Sequence, residues 1–279
     1  MSNELWARLE PEPSWEPPAI DTSVAHSARM YDHWLGGKTN FAPDRELGDA
    51  VERLIPTIRT MARENRRFLG RAVRHLVREQ GIRQFLDIGT GIPTEGNTHE
   101  VAQLADPAAR VVYVDNDPIV LAHARALMSS TPVGRTAYLH ADLCDPKAIL
   151  DHPTLREVLD LDEPVGLMLL GVLMLVADAD DPWRQVGVIL DALPVGSCVA
   201  ISHVTADFDP DAVGAVVDAE GEGRMTLEPR TRAGVGRFFA DWELLEPGIV
   251  PVMAWRPDGE PPADPEAAYY WAGVARKAA

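Results

Sequence analysis

Cysteine is scarce in this chain: Cys144 and Cys198 are the only two among 279 residues. Two isolated thiols cannot staple a fold of that length, and no paired Cys/His spacing marks a zinc site. Both are expected as reduced, structural thiols, and no metal is expected. Positive charge is short too. Lys and Arg number 26 against 43 Asp and Glu, a formal net charge of −17, with no basic stretch to offset it. Such a surface repels phosphate backbones, so nucleic acid is not an expected partner. The longest nearly unbroken apolar run, residues 165–177, is too short to span a bilayer. No basic region followed by an apolar run opens the sequence, so a signal peptide is not expected either. These absences together predict a cytoplasmic protein without a membrane partner.

Apolar residues, by contrast, make up 46% of the chain, enough to bury a sizeable core. Residues 1–20 are proline-rich and aperiodic and are expected to form a flexible arm. Residues 21–80 predict a helical cap. Its first helix ends at the pair Gly36-Gly37. Helices over 44–54 and 57–79 follow on either side of Pro56. In the second of these, Ile58, Met61, Phe68, Leu69, Ala72, Val73, Leu76 and Val77 fall largely on one face, as a helix lying on a sheet requires.

Over residues 81–279 the rhythm changes to strands alternating with helices. Strands are predicted at 84–88, 111–114, 136–140, 165–170 and 197–202. Helices are predicted at 97–105, 119–128 and 182–193, with two short pieces over 146–160. That alternation argues for a parallel sheet covered on both faces. Residues 206–241 read as irregularly helical. Two last strands, 249–255 and 269–275, are joined too briefly to bracket a covering helix, so an antiparallel tail is expected.

The chemistry concentrates at the ends of the first three strands. Phe85-Leu86-Asp87-Ile88-Gly89-Thr90-Gly91 is a strand running directly into a Gly-x-Gly turn, where a backbone can bend tightly and a ligand can approach. Asp115 ends the next strand and Asp142 follows the third, at separations of 28 and 27 residues, about one βαβ unit each. Right-handed crossovers bring all three carboxylates to one edge of the sheet, where open α/β folds bind ligands. An aspartate after a strand often only caps the next helix. Three such caps at matching places are a poorer account than one shared ligand.

A dinucleotide fingerprint wants G-x-G-x-x-G with pyrophosphate on a helix N-terminus. Here Thr94 stands at the last glycine position and Asp87 precedes the turn. A carboxylate there suits a cationic ligand. S-adenosyl-L-methionine carries an ammonium and a sulfonium and no phosphate. Asp115 would accept the ribose hydroxyls and Asp142 the adenine amino group. A nicotinamide-dependent oxidoreductase on a similar sheet is the competing reading. Gly36-Gly37-Lys38-Thr39 matches the end of a nucleotide triphosphatase P-loop, but Asp32 occupies the first glycine position and no apolar strand precedes it.

Asp87-x-Gly89-x-Gly91 with Asp115 and Asp142 resembles the motifs of class I S-adenosylmethionine methyltransferases. More narrowly, the chain resembles an actinobacterial S-adenosyl methyltransferase family long catalogued as a domain of unknown function. The likeness lies in Arg29-Met30-Tyr31-Asp32-His33-Trp34-Leu35-Gly36-Gly37-Lys38, Glu64-Asn65-Arg66-Arg67-Phe68-Leu69 and Asp87 through Thr94. It continues in Val114-Asp115-Asn116-Asp117-Pro118, Arg230-Thr231-Arg232 and Leu244 through Gly248. It covers about residues 22–276 and implies a doubly wound, mostly parallel seven-stranded α/β sheet of Rossmann-like type, with an added helical N-terminal cap. It implies no substrate. Pro93 departs from the broad superfamily, where a third glycine is frequent.

Methyl transfer needs acceptor, methyl and sulfur held in line and dry. The fourth strand, ending at Gly171, should border the methyl; Thr90, Asn116 and Leu143 complete the predicted cofactor set. No Asn/Asp-Pro-Pro-aromatic signature follows that strand. Its absence, with the acidic surface, argues for a small-molecule acceptor. His203, just beyond the predicted strand 197–202, is the candidate general base, with Tyr31 and His33 as further candidates. Arg29, Lys38 or Arg66 could meet the cofactor's carboxylate. Tyr31, Trp34 and Phe41 would either form the cap's own small core or pack on the acceptor. The acidic segment 206–228 is either a lid or a surface insertion. A non-catalytic protein that holds S-adenosylmethionine or S-adenosylhomocysteine, as sensor or partner subunit, is the alternative function.

Overall fold

The structure, a computed structural model, describes residues 21–127, 130–220, 226–260 and 262–278. The expected arm over 1–20 lies outside the described residues. Three helices come first: α1 (Ser27–Leu35), α2 (Ala42–Leu54) and α3 (Ile58–Glu79). Gly36 ends α1 in the left-handed region at φ 83°, a conformation that costs a side-chain-bearing residue more. Asp44, inside the first turn of α2, accepts from the Phe41 N–H at 2.8 Å and so caps that helix. The apolar stripe of α3 is buried as its spacing requires, with Met61, Phe68, Ala72 and Leu76 at most 1% exposed.

The alternating part runs β1 (Gln84–Ile88), α4 (Thr98–Ala105), β2 (Arg110–Asp115), α5 (Pro118–Leu127) and β3 (Arg135–His140). Short helices α6 (Pro146–Leu150) and α7 (Pro153–Val158) lead to β4 (Gly166–Leu170). Next come α8 (Pro182–Ala192), β5 (Cys198–Val204), α9 (Pro210–Glu220), α10 (Arg232–Gly236), β6 (Glu243–Leu244), β7 (Val250–Pro251) and β8 (Tyr270–Arg276). The sheet order is β3-β2-β1-β4-β5-β8-β6, with β7 also paired to β8. Strands β1 to β5 are parallel, while β8 runs antiparallel to β5. This is the expected doubly wound α/β sheet with its antiparallel tail. Strand order reverses between β1 and β4, so a crevice opens beyond their C-terminal ends.

Two apolar clusters cover the two faces. One joins α1, α2 and α3 to inward residues such as Phe85, Ala200 and Val274; the other joins α6, α7 and α8 to Leu86, Val199 and Ile201. The N-terminal helices therefore share a core with the sheet. No helix among the described residues is long and apolar enough to cross a membrane.

The strand expected over 249–255 is only partly formed. Val250 and Pro251 pair with β8, and the chain then turns through a 3-10 helix at Val252–Ala254. The reason lies on α3. The buried Arg71 guanidinium donates to the carbonyls of Val252 at 2.7 Å and Trp255 at 2.8 Å, so these carbonyls bond a side chain instead of a ladder. Trp255 itself packs edge-on to Phe68 at 5.3 Å. Strand β5 is longer than expected and ends at Val204.

Candidate cofactor and acceptor site

Every residue of the predicted cofactor set lines one cavity of about 290 Å³ at the C-terminal edge of the sheet. The turn after β1 is held by β2: the Gly89 N–H donates to the Val114 carbonyl at 2.8 Å, and the Gly91 N–H donates to Asp115 Oδ2 at 2.8 Å. Gly89 sits at φ 75°, and a Cβ built there would overlap Val172. Both its backbone angle and its neighbour demand glycine. Thr90 caps the turn, its hydroxyl donating to the Asp87 carbonyl at 3.2 Å.

The three carboxylates differ in setting. Asp87 is buried and accepts from the Thr98 hydroxyl at 2.6 Å. Burial pushes its carboxyl up to about 6, and Asp115 adds to the rise; the Thr98 hydrogen bond and the Arg66 charge oppose it. Asp115 is also raised, by burial, against the backbone N–H groups of Asp117 and Gly91 that favour its charge. Asp142 is exposed. Burial pulls its carboxyl upward, but the Cys144 N–H and the Asn116 amide, which donates at 3.1 Å, outweigh it and hold it below the usual range. Leu143 and the half-buried Gly171, at φ 67°, complete this end.

The rest of the wall is apolar and comes from far along the chain. Tyr31 and Trp34 of α1, Met61 and Leu69 of α3, Val204 of β5, Val213 and Val216 of α9 and Tyr270 of β8 all face the same space. One polar chain crosses it. The Ser202 hydroxyl donates to the Asn65 carbonyl oxygen at 2.5 Å, the Asn65 amide donates to the Tyr31 hydroxyl at 3.2 Å, and Tyr31 donates to the Ala62 carbonyl at 2.9 Å. The candidate lid over 206–228 contains α9, which contributes apolar wall; residues 221–225 lie outside the described residues.

A family model for S-adenosyl methyltransferases matches residues 13–278. The chain belongs to the S-adenosyl methyltransferase family. A DUF574 family protein from Streptomyces avermitilis is 48% identical, covering 93% of this chain and 100% of that one at a TM-score of 0.88. A Thermobifida fusca protein is 43% identical, covering 95% and 99% at a TM-score of 0.87. An O-methyltransferase family protein from Burkholderia thailandensis, 14% identical over 81% of this chain and 62% of that one, shares the fold alone at a TM-score of 0.50. No curated protein matches the chain.

S-adenosylmethionine is therefore the cofactor of this methyltransferase family, and the cavity's polar end fits it. A buried, partly protonated Asp87 lies where a cation would lower the cost of its charge, and Gly89 leaves room that a side chain would fill.

Several predicted site residues lie elsewhere. His203 is fully buried and does not line the cavity. Side chains alternate along a strand, so Ser202 and Val204 face the cavity side while His203 points to the opposite face and stacks on Phe238 at 5.9 Å. Its Nδ1–H donates to the Val204 carbonyl at 2.8 Å, and its Nε2 accepts from Arg230 at 2.9 Å. Burial, with the Arg230 charge, pushes it down to about 3 and keeps it neutral with both nitrogens committed. It is a poor general base for anything in the cavity.

Arg29 is buried against Asp44 at 2.9 Å, and His33 pairs with Asp49 at 2.8 Å; neither lines the cavity. Lys38 is exposed on a loop and does not line it either. Tyr31 and Trp34 do line it, whereas Phe41 is exposed beneath the Arg29 guanidinium. Of the three basic candidates for the cofactor's carboxylate, Arg66 lines the cavity, and it donates to the Glu95 carbonyl and Asn97.

Sequence reasoning missed Asn65 and Tyr270. Asn65 had a signal, as the polar interruption of the apolar stripe on α3. Tyr270 had none, since a tyrosine in an apolar strand looks like any core aromatic.

Proposed function

We propose that this protein transfers the methyl group of S-adenosylmethionine to a small-molecule acceptor by direct displacement at the sulfonium methyl. The observation that carries this is one continuous cavity with a carboxylate-bearing end and an apolar end. When bound, the cofactor supplies a carbon already activated by the positive sulfur. The chain's part is to bind, orient and dry. Asp115 and Asp142 would take the ribose and adenine, Asp87 the cationic methionine end and Arg66 its carboxylate. Gly171, Asn65 and the apolar wall exclude water where acceptor and methyl must meet in line. In this division residues 21–80 form a cap that builds acceptor walls onto the cofactor-binding domain over 81–279.

A second reading has a specific observation behind it. His203 is turned away, and His26, the one imidazole that lines the cavity among the described residues, sits 3.1 Å from Asp117 at the polar end, so the apolar end offers no imidazole base. A protein that holds the cofactor or its product without turnover, as a sensor or partner subunit, needs none. Calorimetry with S-adenosylmethionine and S-adenosylhomocysteine, followed by a labelled-methyl screen on cell extract, separates the readings. Label in a small-molecule fraction supports transfer; tight binding with no label in any fraction supports the sensor. Binding of neither compound overturns both.

A further inference from the structure

We infer that the apolar end of the cavity takes a neutral, mostly apolar molecule bearing one hydrogen-bond-accepting group, which the Tyr270 hydroxyl holds beside Gly171. The inference rests on reading that end as the acceptor site. Tyr270 is 3% exposed, lines the cavity and sits opposite Val204 in the β5–β8 pairing. Its ring edge is 3.9 Å from where a Cβ on Gly171 would stand, so it lies at the end of β4, where the polar and apolar parts meet.

The polar groups around it are committed to one another. Tyr31 donates to Ala62, Asn65 spans Ser202 and Tyr31, and the Trp34 indole donates to the Gly48 carbonyl at 3.1 Å. The Tyr270 hydroxyl has no hydrogen-bond partner among the described residues. The hydroxyl is open to the cavity and not sealed in the core. A ligand that fills the cavity without an acceptor would leave it unpaired at a cost in free energy, and one whose atom accepts its proton avoids that cost.

Two further facts narrow the ligand. Burial, with Tyr31 nearby, raises the Tyr270 hydroxyl well above its ordinary value, so it stays protonated and acts as a donor. The ligand must supply the lone pair. The charged or titratable side chains that line the cavity gather at its polar end: beside the three aspartates and Arg66 stand only His26, 3.1 Å from Asp117, and Asp180, near Cys144, and no other Lys, Arg, Asp, Glu or His lines it among the described residues. A carboxylate or ammonium placed at the apolar end would be desolvated without a counter-charge, which is far more costly than burying a neutral group.

The test uses probes of one shape and different chemistry on the full chain loaded with S-adenosylhomocysteine. Acetophenone and 4-methylphenol carry an accepting oxygen, toluene has none, and benzoate and benzylammonium are charged. Ligand-detected NMR titration should rank the two oxygen-bearing neutral probes about five- to tenfold tighter than toluene, with both ions weaker than toluene. Tyr270→Phe, which keeps the ring, should erase that advantage and leave S-adenosylhomocysteine affinity unchanged. Leu227→Lys, at a half-buried wall position, should bring a cation to that end and move benzoate from weakest to tightest. An oxygen preference that survives Tyr270→Phe would overturn the inference. So would tighter binding of either ion to the unaltered chain, or no binding of any neutral probe. Failure of S-adenosylhomocysteine itself to bind would sink the cofactor reading instead. The Tyr270 comparison would then be read on the free protein.

Discussion

The two ends of the cavity are built in different ways. At the polar end the three carboxylates and the glycine turn lie at strand ends: Asp87 in the last residues of β1 with Gly89 and Gly91 just beyond, Asp115 at the end of β2, Asp142 after β3. Parallel register then sets these junctions side by side, as in the pairing of Asp115 with His140. At the apolar end no two walls are close in the chain; Tyr31, Leu69, Val213 and Tyr270 come from three helices and the last strand. The first end follows from backbone turns and sheet order. The second exists only once the helices have packed. Substitutions at the polar end should act on cofactor binding with sharp geometric rules, whereas those at the apolar end should tune which acceptor is taken.

The largest expected effect tests the backbone claim. Gly89→Ala would force an alanine to φ 75° and drive its Cβ into Val172. Left-handed strain of about 1–2 kcal/mol and overpacking of roughly 1–3 kcal/mol act together. S-adenosylhomocysteine binding should fall on the order of a hundredfold or more by calorimetry, with the melting temperature lowered. Unchanged affinity would mean the turn is not shaped around a ligand. Next comes Asp115→Ala, which removes the acceptor of two backbone N–H groups and, in the proposed reading, of the ribose hydroxyls. A charge-assisted hydrogen bond is worth about 1.5–3 kcal/mol, so binding should weaken about ten- to a hundredfold. An equal loss for adenosine and for S-adenosylhomocysteine would place the effect at the nucleoside, as the polar-end reading requires.

That end is legible in the sequence because its residues announce themselves locally: strand, acid, glycine turn, at a repeated spacing. The apolar end is not, and the errors share a cause. His203 was misplaced because β5 runs to Val204, and inside a strand one position decides the face. Arg29 has the charge for a cofactor carboxylate and His33 the imidazole of a base, but packing gave each an acid of this chain as its partner. The strand over 249–255 was cut short by Arg71, some 180 residues away in sequence. Pairings over such distances leave no periodic trace in the chain.

A smaller effect comes from pH. Burial lifts Asp87 to about 6, above the ordinary 3.8 of an aspartate. The folded protein thus holds a proton there that the unfolded chain releases earlier, so this group costs stability as pH rises from about 4 to 6. A cationic ligand needs the ionised form. Affinity for S-adenosylhomocysteine should therefore rise about tenfold from pH 5 to pH 7 and then level off. Asp87→Asn should flatten that profile except for what Asp115, also raised by burial, supplies. A profile that falls with rising pH would contradict a cationic partner for Asp87.

The smallest effect separates motif specificity from ligand contact. Leu35-Gly36-Gly37-Lys38 is among the most distinctive stretches of the chain, and Lys38 alone in it carries a charge suited to a cofactor carboxylate. Its neighbours explain the stretch without a ligand. Asp32 Oδ2 accepts from the Thr39 N–H at 2.9 Å and the Asn40 amide at 2.7 Å, folding the loop back on α1. Gly37 lies so close to this carboxylate that any Cβ would overlap it, and Gly36 supplies the left-handed turn. The distinctive spelling encodes a tight loop, and the exposed Lys38 is carried along by it. Lys38→Ala should then change S-adenosylhomocysteine affinity by less than about twofold, within the range of ordinary surface substitutions. A loss of tenfold or more would move this loop to the polar end and extend that end beyond the three strand junctions.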